Sequence, residues 1–412
     1  MPHGVAITGL GCISSFGIGH AALVNAIAAG RTGIAPIARF DTSSCRSHCA
    51  AALNGFDPAA FIPPLKLRRV DAVGRIALAC ARLAFDDAGC RPDASGRDDV
   101  GIALGTFTAG LDSLVEYLDA LTRQGPQGVP AILFSNTVSN APASLAAIEH
   151  GLRGPNVTFN QREASSLGAI AFSVGAIRQG RAAAMLTGGC DAIEETFFKV
   201  YDRFRALSPM RGRRDGAEMA RPFDRARNGP SLGEGGFLLL AESRAAADAR
   251  GARVYGEVLG VGATATPAAL NGWPKSSAGL AGAMRLALAD AQIDAADVSA
   301  IVGAASGSPV LDRLEAEAVT AVFGRREVPM LSIKGAIGES SAAGAAGLVT
   351  GLLTMATGSL PPTAGLLELD PALGIHASPL PQAAAGRTFL VNSVASGGTQ
   401  YSVVARAATV NN

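Results

Sequence analysis

The sequence predicts an α/β protein built as a duplicated unit. Its 412 residues are 48% hydrophobic and 17% charged and include 50 glycines, a composition typical of helices packed closely on sheets. Short apolar runs typical of buried strands alternate with helical patterns along the chain. The same element order recurs in the second part, and the length exceeds that of one simple core. We therefore expect two similar halves, residues 1–250 and 251–412.

The first half contains five apolar runs that predict strands, separated by helical patterns. The strands are expected at 4–11, 99–106, 156–160, 182–189 and 235–242. The helices are expected at 19–29, 68–88, 110–123, 140–151 and 164–179, and Gly180 is the expected C-cap of the last helix. The charged, irregular segment 208–229 predicts surface loops, where binding residues are often found.

The second half repeats this alternation and ends in two consecutive strands. Strands are expected at 254–262, 298–306, 329–334, 388–394 and 401–407, and helices at 277–291, 311–323 and 341–356.

Charge and cysteine usage exclude several classes of function. The net charge is +1 and no basic block is present, so neither nucleic acid nor an anionic membrane surface is an expected partner. No leader and no run of 18 uncharged apolar residues is evident, which predicts a cytoplasmic chain without a membrane span. The six cysteines form no CxxC pair, so no metal site is expected and the thiols should be reduced and mostly buried.

Glu163 stands out at the start of the helical run 164–177, which is apolar on nearly every face. A charged residue is a poor choice there unless that position faces a cavity. A carboxylate at the amino end of a helix is electrostatically favourable. Glu163 is therefore the first candidate site residue.

Nine segments in register resemble the β-ketoacyl synthase family of the thiolase fold over essentially the whole length. They are "VAITGLGCISSFG" (5–17), "GRTGIAPIARFD" (30–41), "GLRGP" (151–155), "RALS" (205–208), "RPFDRARNG" (221–229), "LGEGG" (232–236), "DRLEAEAV" (312–319), "SIKGAIGES" (332–340) and "NSVASGGTQ" (392–400). The resemblance implies a duplicated thiolase-type fold with five layers, α-β-α-β-α. It also implies a dimer in which residues 154–162 pair antiparallel with a partner strand.

The family's chemistry requires a cysteine at the amino end of the buried helix and two histidines that stabilise the enolate. The matching positions here are Glu163, Ala304 in "AASGSPVLD" and Glu339 in "SIKGAIGES". Lys334 is the one retained member of that set. If the register is correct, Glu163 and Glu339 lie close together and Lys334 neutralises one of them.

The resemblance is strongest to the chain-length factors, the β subunits of type II polyketide synthases. It implies a non-catalytic subunit that pairs with a catalytic ketosynthase and shapes its acyl tunnel. No cofactor is expected on this chain, because the phosphopantetheine of the acyl carrier protein would reach the partner subunit. A standalone enzyme that uses Glu163 for decarboxylation, a homodimeric scaffold, and a Glu163 without any retained role remain alternatives.

Two further sets of positions carry expectations about the pocket. Family positions at the far end of the partner's tunnel match Thr108, Leu111, Asp112, Val115 and Phe134, of which the first four follow the i, i+3, i+4, i+7 spacing of one helix face. Thr108 should leave room and Phe134 should form the floor. Two aromatic gate positions match Pro230 and Ser396, so we expect less bulk at the entrance.

Overall fold

The computed structural model describes residues 4–90, 96–209, 218–324 and 326–409. Ten strands form the frame of the molecule: β1 Val5–Ser14, β2 Val100–Gly105, β3 Asn156–Phe159, β4 Ala184–Asp191, β5 Gly235–Ser243, β6 Gly256–Ala265, β7 Ala300–Val302, β8 Pro329–Leu331, β9 Thr388–Val394 and β10 Thr399–Ala407. Six two-residue strands add to these: Gly17–Ile18, Ala35–Pro36, Cys49–Ala50, Ser359–Leu360, His376–Ala377 and Gln382–Ala383.

The helices follow the predicted alternation, and those used below are numbered in chain order. They are α1 His20–Ala28, α2 Ala72–Asp87, α3 Leu111–Gln124, α4 Ala131–Phe134, α5 Ala141–Glu149, α6 Ser165–Arg178, α7 Glu195–Arg203, α8 Ala278–Ala291, α9 Pro309–Phe323, α10 Lys334–Ile337 and α11 Ala343–Met355. Short helices and 3-10 turns cover Pro58–Ala60, Pro64–Leu67, Pro126–Gly128, Arg162–Ala164, Arg244–Ala249, Ala295–Asp297 and Pro371–Leu373. None of the helices in the described ranges is long and apolar enough to cross a membrane.

The strand order shows the duplication directly. The first half has the order β3-β2-β4-β5-β1, and the second half has β8-β7-β9-β10-β6. In each half, three strands are parallel and the last two join antiparallel. β1 and β6 pair antiparallel around Val5 and Val258, which makes the sheet continuous. β3 lies at one end of the sheet, so one of its edges is open within the chain.

Alternating strand residues divide the core into layers. Leu238 and Leu240 of β5 face helices α2 and α5, whereas Leu239 faces the central helices α6 and α11. In the second half, Leu390 of β9 faces α8 and α9, while Val391 faces the same central helices. The layers are therefore outer helices, the strands of the first half, the central helices, the strands of the second half, and outer helices. This confirms the five-layered prediction.

Several predicted boundaries differ from the structure for local reasons. Helix α2 begins at Ala72 because the Asp71 carboxylate accepts the N–H of Gly74 at 2.8 Å and caps the helix. β7 ends at Val302. The Gly303 N–H still donates to the Leu331 carbonyl of β8, but the N–H groups of Ala304 and Ala305 donate to the Glu315 carboxylate.

The prediction of surface loops over 208–229 is wrong about the surface for most of residues 218–229. These residues are irregular, as predicted, but many of them are buried. Glu218, Arg221, Phe223 and Asp224 are buried. Buried carboxylates hold this irregular backbone: Glu218 accepts the N–H groups of His48 and Cys49, and Asp224 accepts those of Leu367 and Glu368. Residues 210–217 lie outside the described residues.

Candidate functional site

Glu163 lies where the edge strand β3 turns into the central helix α6. The connecting 3-10 turn Arg162–Ala164 begins with Arg162 at φ 53°, a left-handed conformation that is uncommon outside glycine. The helix start packs tightly on β2, because a Cβ at Gly105 would lie 2.4 Å from the carbonyl carbon of Ser165. The turn thus holds Glu163 between the two halves, with 5% of its surface exposed.

The Glu163 carboxylate is bound by the loop that precedes β10. Its Oε2 accepts the N–H of Ser396 at 2.9 Å, and the Ser396 hydroxyl lies 3.1 and 3.0 Å from its two oxygens. The Ser393 hydroxyl donates to the Glu163 carbonyl at 2.8 Å. Burial raises the pKa of Glu163, and the hydrogen bonds from Ser396 and the charge of Lys334 oppose that rise.

Glu339 and Lys334 form the second part of the site, as the sequence predicts. Lys334 Nζ donates to Glu339 Oε2 at 2.9 Å and lies 2.9 Å from Oε1. Both side chains are nearly inaccessible to solvent. Burial raises the pKa of Glu339 to about 7, and the nearby negative charge of Glu163 adds to that rise while Lys334 opposes it. The two carboxyl groups line the same cavity.

Ala304 contributes only backbone groups to this arrangement. Its carbonyl accepts a hydrogen bond from Lys334 Nζ at 2.7 Å, and its N–H donates to Glu315 at 2.8 Å. Asn392 Nδ2 donates to the same Glu315 carboxylate at 2.9 Å. Lys334 is therefore engaged by Glu339 and by a backbone oxygen, and no imidazole is present at any of these positions.

Asp191 is a buried member of the site that sequence reasoning missed. It ends β4, and its Oδ1 accepts the N–H groups of Phe107 and Thr108 at 2.8 and 3.0 Å. Its Oδ2 accepts the N–H of Ser341 at 2.7 Å, so it joins the loops after β2 and before α11. Its place at the carboxyl end of a buried strand was the available signal, because polar residues there often face a site.

The cavity between these groups has a volume of about 20 Å³. That is room for roughly one water molecule and not for an acyl chain. Three aromatic rings fill the surrounding space: Phe107 lies 5.2 Å from Phe197 and 6.2 Å from Tyr201 between ring centroids, and Phe197 lies 4.5 Å from Tyr201. Burial, with the adjacent charge of Glu163, raises the pKa of the Tyr201 hydroxyl.

The five predicted pocket positions do not share one surface, because Thr108 and Asp112 line a common cavity whereas Val115 and Phe134 are exposed. Thr108 precedes α3, because Gly110 in the left-handed conformation (φ 81°) starts that helix, so the shared helix face predicted for Thr108 is wrong. Thr108 is buried beside Asp191 and lines the Glu163 cavity. Leu111, Asp112 and Val115 do lie on α3. Val115 and Phe134 are 36% and 65% exposed in the single chain.

The two positions expected at the entrance, Pro230 and Ser396, are both covered by the chain to different degrees. Pro230 is half-buried, and its carbonyl accepts the N–H of Ser208 at 2.7 Å. Ser396 is 8% exposed and fully engaged with Glu163. Arg162 lies beside Ser396, and its Nη1 donates to the Ser396 hydroxyl at 2.9 Å.

The cysteines take no part in this site. Cys12, Cys80 and Cys190 are buried and the other three are half-buried, all as free thiols. Burial raises the pKa of the Cys80 thiol, which suits a structural role. Within the described ranges, no group of three or more His, Cys, Asp or Glu residues is arranged to hold a metal ion.

Known proteins match this chain over nearly its whole length. The N-terminal domain model of β-ketoacyl synthase matches residues 3–246, and the C-terminal domain model matches residues 255–367. The chain is 33% identical over 390 residues, 94% of each chain, to actinorhodin polyketide putative beta-ketoacyl synthase 2 of Streptomyces coelicolor. It is 30% identical over 370 residues, 89% of each chain, to 3-oxoacyl-[acyl-carrier-protein] synthase 2 of Coxiella burnetii.

A solved structure agrees with these relatives. The chain superposes on the ishigamide ketosynthase/chain length factor with a TM-score of 0.90 and 30% identity, covering 99% of this chain and 100% of that one. The duplicated five-layered architecture is thus the thiolase-type fold. From the two matching domain models and these similarities, we conclude that the chain belongs to the β-ketoacyl synthase family.

Proposed function

We propose that this chain is the non-catalytic chain-length-factor subunit of a heterodimeric type II polyketide or polyene ketosynthase. The observation that carries the proposal is the composition of its site. The resemblance matches Glu163, Ala304 and Glu339 to the family's cysteine and two histidines, and the cavity that Glu163 and Glu339 line has a volume of only about 20 Å³.

The chemistry of these groups opposes acyl transfer. A carboxylate is a far weaker acyl acceptor than a thiolate, and Glu163 already binds the N–H and hydroxyl of Ser396. Lys334 is bound to Glu339 and to the Ala304 carbonyl, so it is not available to stabilise an enolate. In this proposal the phosphopantetheine arm of the acyl carrier protein delivers its substrate to the partner ketosynthase.

Two surface features support a ketosynthase partner. The open edge of β3 can accept an antiparallel strand. Close to it in sequence, α3, α4 and the turn after α4 expose large apolar side chains: Val115, Leu118, Ile132, Phe134 and Val138. Exposed apolar side chains in such numbers are typical of a protein interface. A related solved structure is named as a ketosynthase/chain length factor.

The proposal is tested by Glu163→Gln in the complex with its ketosynthase. The amide keeps the size of the side chain but cannot act as a base or nucleophile. We expect polyketide formation within about twofold of wild type, because a non-catalytic position contributes nothing to the transition state. Replacement of the partner's nucleophilic cysteine by alanine is the matched loss-of-function control.

The same assay distinguishes the alternative enzyme. If Glu163 decarboxylates malonyl-carrier protein, Glu163→Gln should lower carbon dioxide release by two orders of magnitude or more, on the order of the loss of an acid–base group. That result would contradict the non-catalytic assignment. A homodimeric scaffold would instead form no complex with a ketosynthase on co-expression.

A further inference from the structure

We propose that Arg162 closes the solvent side of the Glu163 cavity by clamping three separate loops together. Arg162 Nη1 donates to the Ser396 hydroxyl at 2.9 Å, and Nη2 donates to Asn271 Oδ1 at 2.7 Å. Its guanidinium carbon lies 5.4 Å from the centroid of the Phe107 ring, a cation–π distance. We call these three contacts the Arg162 clamp.

The residues connected by the clamp become progressively less exposed from Asn271 to Glu163. Asn271 is exposed, Arg162 is half-buried, and Ser396 and Glu163 are buried. The Ser396 hydroxyl accepts a hydrogen bond from Arg162 and donates its own proton to the Glu163 carboxylate. Arg162 thus joins exposed Asn271 to Phe107, which lines the cavity, and the Ser396 hydroxyl connects it to the buried carboxylate.

The segments that contact Arg162 are held in place by their own backbone conformation and hydrogen bonds. The left-handed conformation at Arg162, with φ 53°, directs the chain sharply just before Glu163. The loops that contact Arg162 also bind one another, since the Gly397 N–H donates to the Gly272 carbonyl at 2.9 Å. Phe107 is fixed in turn by its own N–H bond to Asp191 and by its contact with Phe197. Removing one side chain therefore releases the outer wall of the cavity without removing a core residue.

In this proposal the clamp restricts access to the Glu163 cavity in this chain without any partner. It implies that a carrier-protein arm cannot reach position 163 even if a nucleophile stood there. Access can be measured without turnover, so this inference can fail while the proposed function stands, and the converse also holds.

The test is alkylation of a reporter thiol. Glu163→Cys is prepared in the full-length chain with and without Arg162→Ala, and N-ethylmaleimide modification of the peptide containing residue 163 is followed by mass spectrometry. Loss of two hydrogen bonds and a cation–π contact should raise the modification rate at least about tenfold. Removing a nearby positive charge raises thiol pKa and slows alkylation, so acceleration can only reflect access.

Arg181→Ala is the matched control, because the Arg181 guanidinium also lies 5.4 Å from an aromatic ring, that of Phe172, at the far end of α6. It should leave the rate at residue 163 unchanged, and Arg162→Lys should give an intermediate rate. Amide hydrogen exchange at Ser396 in Arg162→Ala with native Glu163 gives a second readout, and it should be faster than in wild type. Equal alkylation rates with and without Arg162, or unchanged exchange at Ser396, would overturn the clamp.

Discussion

Glu163 and Glu339 are two buried carboxyl groups that share one lysine. Lys334 pairs directly with Glu339, whereas Glu163 is bound by Ser396. Like charges in one cavity resist joint ionisation, so one carboxyl group retains its proton near neutral pH. Burial raises the pKa of Glu339 to about 7, so this group titrates near neutral pH.

This leads to a pH prediction for Glu339→Gln. The pKa of Glu339 is raised in the folded chain from the usual 4.5 to about 7, so the native state holds a proton that the unfolded chain has lost. The contribution of Glu339 to the free energy of unfolding of the wild type is therefore fully present below pH 4.5 and is lost as the pH rises through about 7. Relative to wild type, the variant should gain on the order of 2 kcal/mol in free energy of unfolding between pH 5 and pH 8.

Urea unfolding at both pH values measures this difference. Glu317→Gln, an exposed position on the same half of the chain, is the control and should show no such trend. If the difference in free energy of unfolding between Glu339→Gln and wild type were constant from pH 5 to pH 8, Glu339 would be ionised throughout, which would contradict the prediction.

That Glu163, Ala304, Glu339 and Lys334 come together was expected from the resemblance to the β-ketoacyl synthase family, whose matching segments set the register. The closure of the cavity was not. It depends on Phe197 and Tyr201 from α7 and on the clamp from Arg162, which are contacts between distant segments that no periodic pattern reveals.

At the scale of elements, the predicted pocket residues fall into two groups. Thr108 precedes α3 and is buried, whereas Val115 on α3 and Phe134 on α4 are exposed. Helical spacing counted backwards from Val115 includes Thr108, but a left-handed Gly110 interrupts the chain after it. Thr108 Oγ1 accepts the N–H of Ala192 at 3.0 Å inside the chain's own core. A large residue at Thr108 would therefore disturb this loop, whereas Val115 and Phe134 remain exposed to a partner.

Chain length should consequently respond to Val115 and Phe134. Val115→Trp should shorten the products of the heterodimer, since added bulk at the interface closes the partner's tunnel earlier, and Phe134→Ala should lengthen them by removing a large ring. Product mass spectra from the purified complex measure both shifts. Leu380→Ala, which trims an exposed apolar residue on the other half, is the control. Unchanged products from both variants in an intact complex would leave α3 and α4 with a packing role only.

At the scale of the whole molecule, the duplicated sheet leaves β3 at its end. The N–H groups of Ile102 and Thr106 donate to the carbonyls of Pro155 and Phe159, so by alternation the N–H groups of Asn156 and Thr158 point to the open edge. The alternation of strands and helices and the duplication were predictable from the apolar runs, and the five layers were expected from the resemblance to the β-ketoacyl synthase family. The exact lengths of the strands were not predictable, because they depend on distant side chains. The Glu315 carboxylate, for example, binds the N–H groups of Ala304 and Ala305 just after β7.

Thr158→Pro tests the role of this edge. Proline removes one outward N–H and is tolerated at sheet edges, so the single chain should fold while pairing with the ketosynthase is lost. Affinity co-purification should fall about tenfold, on the order of the free energy of one lost interface hydrogen bond. Thr158→Ala keeps the N–H and should co-purify normally. Equal recovery of the partner with both variants would exclude strand pairing through β3.

The measurement that tests the central claim most directly is turnover of malonyl-carrier protein by three samples: this chain alone, its ketosynthase alone, and the two together. Carbon dioxide release and chain extension are recorded in each. The non-catalytic assignment predicts no turnover by this chain alone and polyketide formation only in the complex. A soluble dimer of this chain that releases carbon dioxide and extends chains without any ketosynthase would contradict it.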